Sequence, residues 1–225
     1  MTSTSSTTKR RAGSSGSVSS VMRAVPAPPA VLSKEREAEL SQRQLEILDA
    51  LGAVFASGFI DLTMADLAQK LNCSLRTLYL LAESRNGLVL MVIDRVLRGH
   101  GRSAHSATSD ASSALDALQA YLHAANNAVA KVDPKFAADM AAIAEGVALN
   151  EAHSRYLIDV TKALLNLAVA NNEMRPVDTA ALARMLGGLG RDFSRPDVLP
   201  TLDNTPADSA NAMVDLTITA LKGTR

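Results

Sequence analysis

The chain has 225 residues, enough for one large domain or two smaller ones with a buried core. Ala and Leu dominate, aromatic residues make up only 3%, Trp is absent and no alternating strand follows residue 34, so we predict an all-α fold. The single cysteine, Cys73, excludes an internal disulfide and a multi-cysteine metal site, and no apolar run reaches the ~20 residues of a membrane span. We therefore expect a soluble cytoplasmic protein without a metal or other cofactor.

The formal net charge is zero, but the charge is unevenly distributed. Residues 1–32 contain Lys9, Arg10, Arg11 and Arg23 and no acidic residue. The rest of this segment is mostly Ser, Thr, Gly, Ala and Pro, which bury too little apolar surface to offset the entropy of ordering. We predict a disordered basic arm, which is either a solvated tail or a source of additional phosphate or minor-groove contacts to DNA.

A helix is predicted from Lys34, with Ser33 as its cap, to Gly58. Two short helices follow. The first begins after Thr63, which can form a capping box with Asp66, and its apolar positions have helical spacing. The second runs from a Ser74 cap to Leu81, beyond a turn at residues 72–73. A helix, a short turn and a helix is the arrangement that places the second helix in a DNA major groove.

The next predicted helix ends near residues 100–101. Small polar residues at 101–113 indicate a linker, which separates a domain at 33–100 from a helical domain at 114–225. In this second domain we predict helices at 114–131, 135–149, 151–172, 178–189 and 206–221. The glycines at 187, 188 and 190 are interpreted as a helix end, and 191–205 as a loop.

Residues 43–96 resemble the N-terminal DNA-binding domain of the tetracycline-repressor-like (TetR) family of transcriptional regulators. The resemblance depends on Gly58, Phe59, Thr63, Asp66, Leu67, Ala68, Ser74, Thr77, Leu78, Tyr79, Ser84, Arg85 and Leu88. Four positions depart from the family pattern: Asn72 replaces the turn glycine, Ala82 an aromatic residue and Arg85 a lysine, and Phe55 lies one residue closer to Gly58 than is usual. Asn is the next best residue for a left-handed turn.

The resemblance implies that Ser74–Leu81 is the DNA-recognition helix. Leu75 and Arg76 would then contact base edges, Leu75 at a thymine methyl and Arg76 at guanine. Phosphate contacts are expected from Thr63, Ser74, Thr77, Tyr79 and Arg85.

The resemblance further implies that the C-terminal domain forms a homodimer and holds a small, mostly apolar effector. The expected dimer interface comprises Leu182, Met185, Leu186, Met213 and Val214. The expected ligand pocket comprises Tyr121, His123, Asn126, Phe136, Met140, Asn166 and Met174. A twofold dimer would bind a palindromic operator in double-stranded DNA.

Two functional hypotheses follow. The first is a ligand-responsive transcriptional regulator, most simply a repressor. The second is a helical regulatory or interaction protein of the same fold that no longer binds DNA specifically, because residues 34–100 contain nine acidic residues against eight Lys and Arg. No catalytic constellation is visible, and the glycines at 187–190 precede no strand, so we do not expect an enzyme.

Overall fold

The computed structural model describes residues 16–222, which form eleven α-helices and one short 3₁₀ helix, with no strand among them. The α-helices are α1 (Val18–Ala24), α2 (Lys34–Ala38), α3 (Gln42–Phe55), α4 (Met64–Lys70), α5 (Leu75–Leu81), α6 (Arg85–Ser106), α7 (Ala114–Ala130), α8 (Pro134–Ala141), α9 (Ala144–Ala170), α10 (Thr179–Phe193) and α11 (Pro206–Lys222). The 3₁₀ helix spans Leu199–Thr201. The prediction of an all-α fold is confirmed.

Two hydrophobic cores divide the molecule. The first, which we call the head, contains buried residues of α3, α4, α5 and the first half of α6, together with Phe136 of α8. The second, which we call the body, contains buried residues of α1, the end of α6, α7, α9, α10 and α11. Because α6 contributes to both cores, it is a rigid connection between head and body.

Helix α6 is longer than predicted. It does not end near residue 100 but continues to Ser106, so half of the predicted linker at 101–113 is helical. The last turn is stabilised by burial, since Ala104 is only 2% exposed in the body core. His105 also packs inward, where its Nε2 atom lies 2.8 Å from the Tyr156 hydroxyl.

The prediction of a disordered arm over residues 1–32 is wrong for residues 16–32, while residues 1–15 lie outside the described part of the chain. Ser17 caps α1, and Met22 on this helix is 2% exposed in the body core. Val18, Val21 and Val25 pack beside it. Their spacing is that of an apolar helix stripe. Burial of this stripe offsets the conformational entropy that is lost when the segment becomes ordered.

Several other helix boundaries differ from the prediction. The helix expected from residue 34 is two helices, because Ser41 forms a capping box with Gln44 and starts α3. Helix α8 ends at Ala141, and α9 begins at Ala144, seven residues earlier than expected.

The glycines of α10 do not end this helix but allow it to approach its neighbours. A Cβ atom at Gly190 would lie 2.6 Å from Asn126 Oδ1 on α7, and one at Gly187 would lie 2.9 Å from side-chain carbons of Leu157 and Ile158 on α9. Such distances are too short for ordinary side chains, so glycine is needed here for close helix packing.

Candidate DNA-binding surface

The helix–turn–helix of the head is assembled by local hydrogen bonds. Thr63 and Asp66 form the predicted capping box at the start of α4. The end of α4 is a Schellman motif, in which Asn72 has a φ of 47° and the N–H of Cys73 donates to Ala68 O at 3.0 Å. The predicted Ser74 cap begins α5, with Ser74 Oγ accepting from the N–H of Thr77 at 3.1 Å.

Helix α5 presents its N-terminal and outer residues to solvent. Leu78 and Leu81 are buried in the head core, which fixes the rotation of the helix about its axis. Leu75, Tyr79 and Leu80 are consequently 45%, 52% and 52% exposed. Three large apolar side chains exposed on one seven-residue helix form an unusual patch for a free surface, and such patches mark interaction sites.

Arg76 lies on the same exposed face as Leu75. In the described part of the chain it makes no ion pair, whereas most other arginines of the head do. Arg36 pairs with Glu39, Arg43 with Glu46, and Arg95 with Glu37 and Asp49. The count of nine acidic against eight basic residues in 34–100 therefore understates the positive charge at the start of α5. Glu37, Glu39, Glu46 and Asp49 already form ion pairs with other arginines of the head.

Three of the four hydroxyl groups predicted to bind phosphate, those of Thr63, Ser74 and Thr77, are engaged in hydrogen bonds at helix N-termini. Thr63 Oγ1 donates to Asp66 Oδ2 at 2.6 Å, and the hydroxyls of Ser74 and Thr77 are 2.9 Å apart. Thr63 and Ser74 still mark the starts of α4 and α5, where backbone N–H groups point outward and favour anions.

Arg85 is the first residue of α6, as the resemblance implies, and its side chain is directed at a loop of the head. Its guanidinium donates to three backbone carbonyls of the loop between α3 and α4: Leu62 O at 2.5 Å, Phe59 O at 2.6 Å and Ile60 O at 2.7 Å. Its donors thus hold a loop together. No pattern in the sequence indicates this role, because the partners are 23 to 26 positions away.

The same loop is held from its other side by Asp139 of α8. One carboxylate oxygen accepts the N–H groups of Phe59 at 2.5 Å and Ile60 at 2.9 Å. Burial alone would raise the pKa of Asp139, but these N–H donors and the nearby Lys135 outweigh it, so the pKa lies below its usual value. Asp139, which the sequence analysis did not single out, therefore connects α8 to the head as a charged acceptor.

A second unpredicted contact supports α5 directly. Arg36 of α2 donates from Nη2 to Leu80 O at 3.1 Å. The carbonyl groups at a helix C-terminus lack partners in the helix and favour positive charge. Helix α2 therefore stabilises the end of α5 that lies away from Leu75 and Arg76.

No family model matches the sequence, and no curated protein matches it as a relative. Solved structures match the fold over nearly their whole length. A TetR transcription regulator from Haloarcula marismortui matches with a TM-score of 0.65 and 18% identity, covering 81% of this chain and 99% of that one. PfmR, a TetR-family regulator from Thermus thermophilus, matches with a TM-score of 0.54 and 22% identity, covering 77% of this chain and 97% of that one. A regulatory protein of the tetR family from Rhodococcus RHA1 matches with a TM-score of 0.56 and 19% identity, covering 81% of this chain and 98% of that one.

The chain has the TetR-family fold. At these identities the likeness establishes the fold, so function is argued from the site itself.

In this TetR-like fold the predicted dimer residues do not all face outward. Leu186 and Val214 are fully buried in the chain's own core, and Leu182 is half-buried. Met185 and Met213 are 50% and 42% exposed, and Leu216, which was not predicted, is 64% exposed. Helices α10 and α11 pack against each other, and each carries exposed apolar side chains, Met185 on α10 and Met213 and Leu216 on α11.

The seven residues predicted to line a ligand pocket do not converge on one cavity. Phe136 and Met140 belong to the head core, while Tyr121 and Met174 are buried in the body core. The other three, His123, Asn126 and Asn166, make polar contacts between helices: His123 with Asp215, Asn126 with Asn211 and Asn166 with Thr179.

A cavity of about 440 Å³ lies instead beside the head core, where the connection from α7 to α8 approaches α3 and α6. Its walls are the C-terminal part of α3, the middle of α6 and the α7–α8 connection: Gly52, Ala53, Ala56, Ser57, Val96, His100, Lys131, Val132, Asp133 and Phe136. Of the predicted pocket residues, only Phe136 contributes. Burial, with a smaller effect of His153, lowers the pKa of His100, which favours the neutral form of the imidazole beside this cavity.

Within residues 16–222, no helix has the length and apolar character needed to cross a bilayer. No three His, Cys, Asp or Glu side chains in that range are placed to hold a metal ion.

Proposed function

We propose that the protein is a cytoplasmic transcriptional regulator that binds a palindromic DNA operator as a homodimer. The observation that carries this proposal is the exposed start of α5, where Leu75 and Arg76, an arginine without an ion pair in the described residues, project from a capped helix–turn–helix. A repressor is the simplest form of such a regulator, because occupancy of an operator by itself blocks a promoter.

In the proposed complex the start of α5 enters the major groove. Arg76 donates two hydrogen bonds to the O6 and N7 atoms of guanine, and Leu75 contacts a thymine methyl group. The N-termini of α4 and α5, with Thr63, Ser74 and Thr77, face phosphates, and the exposed Tyr79 donates its hydroxyl to another phosphate. We assign Arg85 to the α3–α4 loop and not to DNA, since its Nε and Nη2 groups already donate to three carbonyls of that loop.

The test is a titration of the purified protein against its own upstream DNA and a random fragment at two salt concentrations. One bidentate base contact is worth about 1–3 kcal/mol, so Arg76→Ala should weaken specific binding roughly 5- to 150-fold. Arg102→Ala, which removes an exposed arginine on the body end of α6, is the matched control and should change little. Absence of binding above the random fragment would favour the second hypothesis, a helical regulator without specific DNA binding.

We propose that the dimer forms through α10 and α11. Support comes from the exposure of Met185, Met213 and Leu216 on adjacent helices. Leu216→Asp should convert the dimer to a monomer in light scattering, whereas Leu199→Asp, at another exposed apolar position, should leave the dimer intact. Dimers that persist in Leu216→Asp would place the interface elsewhere.

We further propose that the effector binds in the cavity beside the head core. The walls are mostly small or apolar, and Lys131 is a cation with no ion pair in the described part of the chain. These features suit a small, mostly apolar molecule with one acidic group, held by Lys131 and the neutral His100. A ligand there would contact the head and Lys131, which follows the body helix α7, and would bias the position of one relative to the other.

Octanoate and octanol are suitable probes for isothermal titration. The acid should bind more tightly than the alcohol, and Lys131→Gln should remove that difference. Gly52→Leu should fill the cavity, because a Cβ atom at Gly52 meets nothing within 4 Å. Equal binding of octanoate by the wild type and Gly52→Leu would exclude this cavity as the site.

A further inference from the structure

Residues 16–32, which we call the strap, contact both halves of the molecule. At one end, Met22 of α1 is 2% exposed in the body core. At the other end, Leu32 is partly buried against the head core. The chain passes from head to body later, through α6, so connectivity alone does not require the strap to reach the body. The strap is therefore a connection between the two cores in addition to α6 and to α9, whose Leu149 packs on the head core and whose Val160 lies in the body core.

Between these two anchors the strap is hydrogen-bonded to α6. Arg98 Nη2 donates to Pro28 O at 2.8 Å, and the N–H of Val31 donates to Asp94 Oδ2 at 3.0 Å. Both partners lie on the part of α6 that joins head and body. These two bonds therefore hold the middle of the strap against the segment of α6 that joins the two cores.

Asp94 joins three elements at one buried carboxylate. It is only 3% exposed, and besides Val31 of the strap it contacts Arg98 Nε at 2.8 Å and His153 Nε2 of α9 at 3.0 Å. A buried carboxylate with several charge-assisted partners is costly to disrupt, because each lost partner leaves charge unpaired. The strap is thus attached to a rigid point and not to a mobile surface side chain.

The sequence of the strap also favours a stiff connection. Three of the residues between the anchors are proline, at positions 26, 28 and 29. Proline fixes φ and favours extended backbone, so such a segment has few alternative conformations and transmits position better than a glycine-rich linker would. Helix α1 then fixes its far end by packing along α9.

We propose that the strap is an intramolecular clamp that sets the position of the head on the body, and that release of α1 from the body frees the head to move. The effect on DNA rests on the proposed function, because a head held in place is preorganised for an operator. The structural effect does not depend on it.

The structural test is a distance measurement between one head and one body position by pulsed electron paramagnetic resonance. Spin labels are placed at Glu83→Cys and Arg155→Cys in a Cys73→Ser background, and labelled chains are diluted with unlabelled chains so that each dimer carries one labelled copy. Met22→Ser removes the apolar anchor, and Arg23→Ser changes the exposed neighbour as a matched control. We expect the distance distribution to at least double in width in Met22→Ser and to stay unchanged in Arg23→Ser.

Val21→Ser, at the half-buried edge of the same contact, provides a milder variant if Met22→Ser does not fold. Identical distributions in the wild type and the folded anchor variant would overturn the clamp. Operator affinity is measured on the same proteins, and release of the strap should weaken it at least fivefold. A broadened distribution with unchanged affinity would refute the role in DNA binding. A wild type that binds no operator would refute the proposed function, while the distance measurement would still decide on the clamp.

Charge at the N-terminus requires a separate variant. Deletion of residues 1–32 would remove Met22 together with the basic residues, so it cannot distinguish a clamp from a DNA-binding arm. Replacement of Lys9, Arg10 and Arg11 by serine changes only the charge. If the contacts of the strap, and not the charge of residues 9–11, set the position of the head, this triple variant should retain the wild-type distance distribution.

Discussion

Two connections in the head are held in place by different means. The turn between α4 and α5 is stabilised within its own sequence: the N–H of Cys73 reaches Ala68 O, and Ser74 caps the helix that follows. The loop between α3 and α4 depends on Arg85 of α6 for its carbonyl groups and on Asp139 of α8 for its N–H groups.

The difference separates the internal geometry of the helix–turn–helix from its position in the head. Local hydrogen bonds give α4 and α5 their mutual geometry, so this geometry should survive changes elsewhere in the chain. The loop from Phe59 to Leu62 fixes where α4 begins, and its partners lie on α6 and α8, the helices that adjoin the body. A movement of α8 against the head would therefore displace the start of α4, because Asp139 is hydrogen-bonded to the loop that precedes this helix.

The largest effect is expected from Asp139→Ala. The substitution leaves two backbone N–H groups without an acceptor, and that of Phe59 is buried. Unsatisfied buried groups cost about 1–3 kcal/mol each, so we expect a loss of roughly 3 kcal/mol in the free energy of unfolding, measured with urea. Asp61→Ala, in the same loop but with a side chain that is 88% exposed, is the control and should change the free energy little.

The effect of Asp139 should depend on pH. Its pKa is lower in the folded protein than in the unfolded chain, so its contribution is present above the unfolded pKa of about 3.9 and is lost as the pH falls through the folded value. The difference in unfolding free energy between wild type and Asp139→Ala should therefore be full at pH 7 and smaller below about pH 4. A difference that is equal at pH 7 and pH 3 would contradict an ionised Asp139 as the acceptor.

An intermediate effect is expected from Arg85→Lys. Lysine keeps the charge but cannot reproduce the planar fork that reaches three carbonyls, so the free energy of unfolding should fall by about 1–2 kcal/mol. Thermal unfolding measures the change, and Arg76→Lys, at an arginine without an ion pair in the described residues, should leave stability unchanged. If Arg85 instead served mainly as a phosphate ligand, lysine would preserve stability and most of the DNA affinity.

The same division explains how much of the structure could be predicted. The caps at Ser33, Thr63 and Ser74 were predicted and found, because a cap and its partner are three residues apart and leave a readable pattern. Helices α4 and α5 followed from those caps and from their apolar spacing. The left-handed conformation of Asn72 was also expected from its residue type.

Contacts between residues that are far apart in the sequence leave no such local pattern. Nothing near Asp139 in the sequence indicates a loop 80 positions away, and the glycines of α10 looked like a helix end because close packing against α7 cannot be read locally. Helix α1 is different. Val18, Val21, Met22 and Val25 have the same spacing that identified α4, so the signal was present and the surrounding serines and prolines obscured it.

The smallest effect is expected in the locally held turn, at Asn72. Alanine there must adopt the left-handed conformation, which costs a residue other than glycine or asparagine about 1 kcal/mol, whereas Asn72→Gly should change stability by less than about 0.5 kcal/mol. Asn172 provides a matched control, because it has a φ of 57° in an equivalent Schellman motif at the end of α9. If both turns are governed by local backbone geometry, Asn72→Ala and Asn172→Ala should lower the thermal unfolding free energy by the same amount. A loss at Asn72 several times larger would mean that tertiary contacts also hold this turn, and the contrast with the α3–α4 loop would then disappear.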